Sequence, residues 1–443
     1  MSRAADALAA ARRPVIYAGT GVHCARAWPQ LKALAELFAA PVTTSLGGKS
    51  SFPEDHPLAL GAGGLAIPKP VRHFLDNADV ILGIGCSFTE TNFGVRMPAG
   101  KKVIHATLDP DHLNKDVACA IGLVSDAALT LDALIAELAG RVKERRDHAP
   151  VAREIQEHRA EWLAAWAEKT DSEAEPLNPY RALRDLWRMV DVDNTIITHD
   201  AGSPRDQLSP FWVSRTPLSY LGWGKTTQLG YGLGLAMGAK LAAPDKLCIN
   251  VWGDAAIGFT GMDFETAMRE RIPILSILLN NFSMAIELKV MPISTEKYRS
   301  TDISGAYAAM ARAFGGYGAR VTKVADIVPA IRRGIEQTRN GTPALLEFIT
   351  SKETAVSRLS GAANSILFTF SGLHASAGAV RARGSRNRRT SLGDLYDPDA
   401  CQRVLQHLGR RLRVRDGGAA GARRGDRRMR RHRGSLHRRR PHR

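Results

Sequence analysis

The first 140 residues of the chain alternate between short apolar runs and stretches with apolar residues at helical spacing. The apolar runs predict buried strands at Pro14–Ala18, Pro41–Ser45, Asp79–Ile84 and Lys102–Leu108. The helical spacing predicts helices at Ala27–Ala39, Pro70–Asn77 and Ala127–Leu138. Strands that alternate with helices are typical of a doubly wound α/β domain, here with about six strands.

The same pattern returns in the second half of the chain. The predicted elements are, in chain order, a helix at Tyr180–Met189, a strand at Thr195–His199, a helix at Leu233–Leu241, and the strands Leu247–Trp252 and Ile274–Leu279 on either side of a helix at Met262–Arg271. The last three elements form a βαβ unit, whose two strands are parallel. We therefore expect a second doubly wound parallel sheet.

The segment between the two patterns is rich in Glu, Arg, Lys and Ala. Trp162 and Trp166 stand one helical turn apart in it, which predicts a charged helix that packs one aromatic stripe onto a domain. The fold expected is thus α/β, with a charged helical linker at 141–177 joining two doubly wound parallel-sheet domains at 1–140 and 178–357.

Positive charge is concentrated at the end of the chain. Of the formal net charge of +17, residues 381–443 contribute +16, since they contain 21 Arg, no Lys and five Asp. Residues 358–443 lack the apolar periodicity that would offset the entropy of ordering, so we expect a disordered basic tail. One interpretation is an arm that binds nucleic acid. The lack of Lys and of aromatic interleaving favours out-of-frame translation instead, with an incidental natural extension as the other alternative.

Cysteine usage and apolar content exclude several classes of protein. The five Cys residues are scattered without a Cys-x-x-Cys pair, so neither a disulfide framework nor a cysteine-based metal site is predicted. The amino terminus, Met1–Arg13, lacks the long apolar core of a signal peptide. The chain has no run of about 18 apolar residues that would predict a membrane span, and we expect a cytoplasmic protein.

Polar residues follow two predicted buried strands of the second domain. Gly253-Asp254-Ala255 comes directly after one strand, and Asn280 and Asn281 follow the next, 26 and 27 residues after the aspartate. The carboxyl ends of parallel strands meet at the edge where open α/β sheets bind ligands. A carboxylate and a carboxamide oxygen at that edge predict a site for a hard cation such as Mg²⁺.

Two further segments of this domain have the composition of ligand-binding loops. Gly202 and Ser203 follow the strand Thr195–His199 and can present backbone N–H groups and a hydroxyl to a phosphate. The glycine-rich segment 220–232 precedes a helix, and its small residues let the backbone approach a bulky cofactor. His199 and Asp200 suggest an acid–base pair, but side chains at adjacent positions do not normally face one another.

The Gly-Asp-Ala segment, the Asn-Asn pair and their spacing resemble the signature of the thiamine-diphosphate enzymes, and most of all the acetolactate synthase large-subunit group. The resemblance implies thiamine diphosphate and Mg²⁺ as cofactors. The residues that it assigns to Mg²⁺ are Asp254, Asn281 and Ser283, the last through its backbone carbonyl. It also assigns to the cofactor site Gly202, Ser203, Gly253 and Ala255.

The glycine-rich segment resembles the part of these enzymes that holds the pyrimidine ring of the cofactor. By position, Leu229 is the apolar residue that supports the bent shape of the bound cofactor. The resemblance implies that the Thr227 carbonyl accepts from the 4′-amino group and that Phe259 makes a backbone contact with the pyrimidine. It implies decarboxylation of a 2-oxo acid, with an aldehyde or a carboligation product as the outcome.

The first domain resembles the central domain of the same enzymes, in particular at Phe52–Pro57 and Leu108–Pro110. In acetolactate synthases this domain holds FAD, and elsewhere in the family it holds ADP or no nucleotide. Gly19-Thr20-Gly21 lacks the third glycine of the dinucleotide fingerprint. A later strand-end loop departs at Ser87 and Thr91 from the arginine-containing synthase pattern, which argues against an FAD site.

The family has a further amino-terminal α/β domain, whose glutamate activates the pyrimidine ring. No glutamate in residues 1–140 stands in the matching context, so the catalytic residue stays unassigned. We expect the chain to be inactive alone and either to be truncated, the interpretation we favour, or to use a partner chain with the pyrimidine domain. A homo-oligomer is the other expected assembly, because the cofactor binds at a subunit interface in this family. The alternatives are a non-catalytic subunit that binds thiamine diphosphate and, with less support, a nucleic-acid binder.

Overall fold

The first 358 residues of the chain contain two parallel β-sheets with apolar clusters on their faces. The structure, a computed structural model, describes residues 1–91, 94–142, 145–222 and 228–358. Apart from Arg358, the predicted basic tail lies outside the described residues. The predicted α/β class with two doubly wound parallel sheets is confirmed.

Six strands form the first sheet: β1 (Pro14–Ala18), β2 (Val42–Ser45), β3 (Ala59–Gly63), β4 (Val80–Ile84), β5 (Lys102–Thr107) and β6 (Ile121–Val124). All neighbouring strands are parallel, and their order is β3-β2-β1-β4-β5-β6. The chain therefore changes direction across the sheet between β1 and β4. In doubly wound folds this switch point is where ligands bind.

Five helices pack against this sheet: α1 (Ser2–Ala10), α2 (Thr20–Cys24), α3 (Trp28–Leu37), α4 (Lys69–Asn77) and α5 (Ala127–Ala139). One apolar cluster joins the sheet to α1, α3 and α5 through Leu8, Leu31 and Leu134. A second cluster contains Val71 and Phe74 of α4. The two clusters share no residue except Val151 at their margins, which gives the sheet a separate apolar layer on each face.

A long helix, α6 (Ala149–Thr170), lies within the segment predicted to be a linker. Trp162 stacks on Phe211 with ring centroids 4.6 Å apart, and the ring of Trp166 lies 4.9 Å from that of Tyr180. The indole N–H of Trp162 donates to Ser357 Oγ at 2.7 Å. The aromatic stripe therefore packs onto the second domain, as the spacing predicts, while the domain boundaries themselves stay predictions.

Six strands form the second sheet: β7 (Thr195–His199), β8 (Tyr220–Leu221), β9 (Leu247–Gly253), β10 (Leu275–Asn280), β11 (Tyr317–Val321) and β12 (Ala344–Ile349). Their order is β11-β12-β10-β9-β7-β8, and all neighbours are parallel. The surrounding helices are α7 (Pro179–Met189), α8 (Ser203–Leu208), α9 (Tyr231–Ala242), α10 (Asp254–Thr260), α11 (Asp263–Arg269), α12 (Pro292–Tyr298), α13 (Tyr307–Ala313) and α14 (Val324–Arg339).

A buried ion pair connects the two domains. Lys49 Nζ donates to both carboxylate oxygens of Glu54, at 2.6 and 2.5 Å, and to the carbonyl oxygen of Trp212 at 2.7 Å. Glu54 Oε2 also accepts from the backbone N–H of Ser214 at 2.7 Å.

Within the described parts of the chain, no helix has the length and apolar content that a bilayer span needs.

Candidate active site

A cavity of about 190 Å³ opens at the carboxyl ends of β7, β9 and β10, beside the point where the chain changes direction across the second sheet. Its lining includes eight of the ten predicted cofactor-binding residues: Gly202, Ser203, Leu229, Gly253, Asp254, Ala255, Asn281 and Ser283. The structure thus brings together residues that are up to 81 positions apart in the sequence.

The other two predicted residues are not in that lining. Thr227 lies outside the described residues. Phe259 lies on α10, and its side chain is 70% exposed. It stands next to the glycine-rich segment, since a Cβ built on Gly230 would come within 2.8 Å of Phe259 Cβ.

Asp254 is the first residue of α10 and is only 3% exposed. Its Oδ1 accepts from the N–H of Ala255 at 2.9 Å, and its Oδ2 accepts from the N–H of Ser283 at 3.0 Å. Burial raises the pKa of the Asp254 carboxyl, although these backbone donors oppose the shift. In the parts of the chain that the structure describes, no Lys or Arg forms an ion pair with Asp254. A buried carboxylate of this kind is suited to a bound cation.

The two neighbouring asparagines make different contacts. Asn280 is fully buried, and its Nδ2 donates to Glu347 Oε1 at 2.8 Å while its Oδ1 accepts from the N–H of Phe282 at 3.0 Å. Asn281 lines the cavity, and its Oδ1 accepts from the N–H of Ser283 at 2.9 Å. Phe282, between Asn281 and Ser283, has a left-handed backbone with φ 56°. Asn280 therefore holds the turn, and Asn281 is the one available to a ligand.

Ser283 is the residue on which Asp254 and Asn281 converge. Both side chains accept from its backbone N–H, at 3.0 and 2.9 Å. Its carbonyl accepts from the N–H of Ala285 at 2.8 Å and keeps a second lone pair. Its hydroxyl is buried without a hydrogen-bond partner among the described residues. A carboxylate, a carboxamide and a carbonyl oxygen are hard donors, and this set fits Mg²⁺.

Asp200 fixes the glycine-rich segment to the end of β7. The carboxylate is fully buried and accepts from the N–H groups of Ala201 at 2.9 Å, Gly230 at 2.8 Å and Gly232 at 3.1 Å. Burial raises the pKa of the Asp200 carboxyl, and these hydrogen bonds oppose the shift. Gly230 has φ 91° and precedes the first residue of α9, a conformation that favours glycine. Asp200 therefore positions the backbone beside Leu229.

His199 does not belong to the cavity lining. Its ring is fully buried, with Nδ1 3.2 Å from the hydroxyl of Tyr231. A Cβ on Gly222 would come within 2.0 Å of its Nε2, so the ring fills the space beside that glycine. Burial lowers the pKa of His199 to about 4, with smaller effects from Arg205 and Lys49 in the same direction. The imidazole is therefore neutral at pH 7.

Sequence reasoning missed twelve residues of the cavity wall, among them Pro204, Arg205 and Gln207. Arg205 is fully buried and forms a bidentate ion pair with Asp206, at 2.9 and 3.0 Å. Charged residues after a turn usually face solvent, so the local sequence does not predict that Arg205 is buried. The available signal was the position of residues 204–207 directly after Gly202 and Ser203, in a loop that the topology places at the switch point.

A second cavity, of about 570 Å³, lies at the carboxyl ends of β1, β4 and β5 in the first domain. It is lined by Gly19, Gly21 and Gly85 together with Ser87 and Thr89. A Cβ on Gly19 would come within 2.3 Å of the Gly85 carbonyl oxygen, so the two strand-end loops approach backbone to backbone. The volume lies in the range of small-molecule sites. That this cavity does not hold FAD stays a prediction.

The chain belongs to the thiamine pyrophosphate enzymes. The family model described as "Thiamine pyrophosphate enzyme, central domain" matches residues 1–134, and that described as "Thiamine pyrophosphate enzyme, C-terminal TPP binding domain" matches residues 200–348. The two matches together cover more than half of the chain; the first spans the whole first sheet, and the second runs from directly after β7 into β12 of the second sheet. The family predicted from the Gly-Asp-Ala and Asn-Asn segments is confirmed.

Within this family the chain is similar to acetolactate synthase large subunits. It is 29% identical over 370 residues to a probable acetolactate synthase large subunit of Methanococcus aeolicus, covering 81% of this chain and 61% of the relative. The corresponding protein of Methanocaldococcus jannaschii is 32% identical over 294 residues, or 65% of this chain and 49% of the relative.

A third relative has a different name. The probable 2-ketoarginine decarboxylase of Pseudomonas aeruginosa is 33% identical over 318 residues, which are 70% of this chain and 54% of the relative. The chain thus spans about half to three fifths of the length of these three relatives.

Proposed function

We propose that the chain supplies the diphosphate- and Mg²⁺-binding part of a thiamine-diphosphate-dependent 2-oxo acid decarboxylase or carboligase of acetolactate synthase type. The observation that carries the proposal is the convergence of Asp254 and Asn281 on the backbone N–H of Ser283, at the switch point of the second sheet. Two of the relatives are named acetolactate synthases and a third is named for a 2-oxo acid, 2-ketoarginine, which supports this substrate class.

The residues of the cavity have distinct proposed roles. The Asp254 carboxylate, the Asn281 side chain and the Ser283 carbonyl hold Mg²⁺, and the loop at Gly202 and Ser203 presents polar groups to the diphosphate. Because the Asp254 carboxylate is buried, a bound cation that neutralises its charge would offset the cost of removing that charge from water. When bound, thiamine diphosphate supplies an electron sink for the bond that breaks as CO₂ leaves.

The size of the cavity supports a shared site. Pockets that enclose a whole small molecule occupy roughly 300–1,000 Å³, whereas this cavity measures about 190 Å³. We propose that a second copy of the chain or a partner with the pyrimidine domain contributes the other wall. The scattered cysteines, which include no Cys-x-x-Cys pair, support the further proposal of a reducing, cytoplasmic location.

Binding of the cofactor tests the site. Asp254→Asn keeps the shape of the side chain but removes the charge, so we expect thiamine diphosphate in the presence of Mg²⁺ to bind at least about tenfold more weakly by isothermal titration calorimetry. Asp263→Asn, nine positions further on and exposed, is the matched control and is expected to bind normally. Equal affinities for the two variants would remove Asp254 from the metal site.

Activity distinguishes the proposal from its alternatives. CO₂ release from pyruvate and from 2-ketoarginine is measured with the chain alone and with a chain that carries a pyrimidine domain. Release only with the partner supports the proposal, and release by the chain alone refutes the sequence prediction that it is inactive without a partner. Tight cofactor binding without CO₂ release under either condition identifies the alternative, a non-catalytic subunit.

A further inference from the structure

Two histidines and a glutamate converge between α4 and α6, far in sequence from the residues of the proposed cofactor site. His73 lies in the second turn of α4, while Glu154 and His158 are four residues apart on α6 and therefore share one face of that helix. Glu161 lies three residues after His158, on the same face of the helix. All four side chains belong to the region where the linker helix packs on the first domain.

The geometry of this cluster is close. The imidazole rings of His73 and His158 lie with centroids 3.8 Å apart and planes 35° apart. His73 Nε2 is 2.7 Å from Glu154 Oε1, and one ligand atom from each of the three residues lies within 4.8 Å of the other two. A tetrahedral ion with bonds of about 2.0–2.1 Å places its ligands about 3.3 Å apart. Small side-chain rotations would therefore close the cluster around one ion.

One ring nitrogen in the cluster lacks a hydrogen bond. The Nδ1 atom of His158 is buried and has no hydrogen-bond partner among the residues that the structure describes, with Glu161 Oε2 at 3.6 Å. The side chains themselves keep partial access to solvent, at 26% for His73, 29% for Glu154 and 22% for His158. An ion can therefore reach a buried nitrogen whose present neighbour, Glu161 Oε2, lies just beyond hydrogen-bond distance.

The other polar contacts of the cluster are compatible with a bound ion. Arg13 donates to Glu154 Oε1 at 2.6 Å, and His73 Nδ1 lies 3.5 Å from Asn77 Nδ2. Lys69 pairs with Glu161. A carboxylate offers two oxygens, so Glu154 can keep Arg13 on one and bind an ion through the other. The ion would replace the hydrogen bond that now joins His73 and Glu154.

We propose that His73, Glu154 and His158 form a binding site for a divalent transition-metal ion, with Zn²⁺ as the ion that best suits two imidazoles and a carboxylate. Glu161 Oε2 lies 3.6 Å from His158 Nδ1, and a rotation of the Glu161 side chain would bring it in as the fourth ligand. The ion would tie the linker helix to α4, and since it binds the folded chain it would raise the melting temperature. The site is independent of the proposed cofactor function.

Zinc titration of the full chain tests the site. Apo protein is titrated with Zn²⁺ in competition with a chromogenic chelator, and His73→Gln and His158→Gln are compared with the wild type. Each variant is expected to lose one Zn²⁺ equivalent or to bind it at least about tenfold more weakly. His148→Gln, an exposed position at the start of the same helix, is the matched control and should titrate as the wild type. Other histidines contribute equally to all four proteins.

A second measurement needs no variant and covers the case in which a substitution disturbs folding. The wild-type chain is treated with diethyl pyrocarbonate with and without one equivalent of Zn²⁺, and modification is located by mass spectrometry. Loss of reactivity at His73 and His158, with His148 still reactive, supports the site. Unchanged reactivity at His73 and His158, or identical titrations of the wild type and both variants, overturns it.

Discussion

The buried ion pair of Lys49 and Glu54 should determine how firmly the first domain is attached to the second. The side chains are only 1% and 8% exposed, and three charge-assisted hydrogen bonds hold Lys49 Nζ. In Lys49→Met the Glu54 carboxylate stays buried, with the N–H of Ser214 as its remaining described hydrogen-bond donor and Arg159 as a nearby positive charge. Removing one member of a buried pair typically costs about 3–5 kcal/mol. This is a large part of an unfolding free energy of about 5–15 kcal/mol.

The double variant Lys49→Met, Glu54→Gln tests whether the loss of stability in Lys49→Met comes from the buried charge of Glu54. It removes that charge as well as the charge of Lys49, and the glutamine oxygen can still accept from Ser214. The cost that remains is that of a few altered hydrogen bonds, about 1–2 kcal/mol. The double variant should therefore be more stable than the single variant Lys49→Met, although it carries one more substitution.

Urea unfolding followed by tryptophan fluorescence measures these differences, since the fully buried Trp212 accepts from Lys49 through its carbonyl. The control is Lys32→Met, which removes the exposed partner of Glu36, 3.9 Å away on the same helix. That pair should contribute less than about 0.5 kcal/mol. A Lys49→Met variant within about 1 kcal/mol of the wild type, or a double variant that is the least stable of the set, would contradict the expected contribution of the ion pair.

Two further predictions concern buried positions in the two sheets. The pKa of His199 is lowered to about 4 in the folded chain, so the unfolded chain binds the proton first as the pH falls below about 6.5. The free energy of unfolding should therefore decrease by about 3 kcal/mol between pH 6.5 and 4. His199→Gln should make urea unfolding less dependent on pH in that range. At the end of β1, the new Cβ of Gly19→Ala would lie 2.3 Å from the Gly85 carbonyl oxygen, so we expect a loss of stability of about 1–3 kcal/mol. Gly140→Ala at the end of α5, with φ −79° and the Glu137 carbonyl oxygen 3.8 Å from the new Cβ, should be neutral or stabilising in the same assay.

The central strands could be predicted because they are buried on both faces. For β9 and β10 an apolar run is enough to identify the strand, and the predicted limits differ from the observed ones by one residue. Two strands of the first sheet were missed. β3 consists of Ala, Gly and a single Leu, and β6 is a half-exposed strand of four residues at the edge of the sheet. Both depend on pairing with a neighbouring strand, which the local sequence does not record.

The candidate site was predictable to the extent that it follows from topology. A βαβ unit brings Asp254 and Asn281 to one edge of the sheet whatever their surroundings are. The separate functions of Asn280 and Asn281 depend on Glu347, which is 67 positions away from Asn280. The burial of Arg205 depends on the cavity wall as a whole. Such long-range contacts have no local signal, which is why the sequence could identify the cavity but not its complete lining.

The contact of Ser357 with Ile67 has a consequence for synthesis of the chain. Ser357 Oγ donates to the Ile67 carbonyl, the Ile67 N–H donates back to the Ser357 carbonyl, and the two residues are 290 positions apart. A ribosome that adds about 5–20 residues per second needs roughly 15–60 seconds to cover that distance. During this interval the first domain can form its sheet but lacks the segment at Ser357, so the polar backbone groups of Ile67 are without these partners and open to chaperones and proteases.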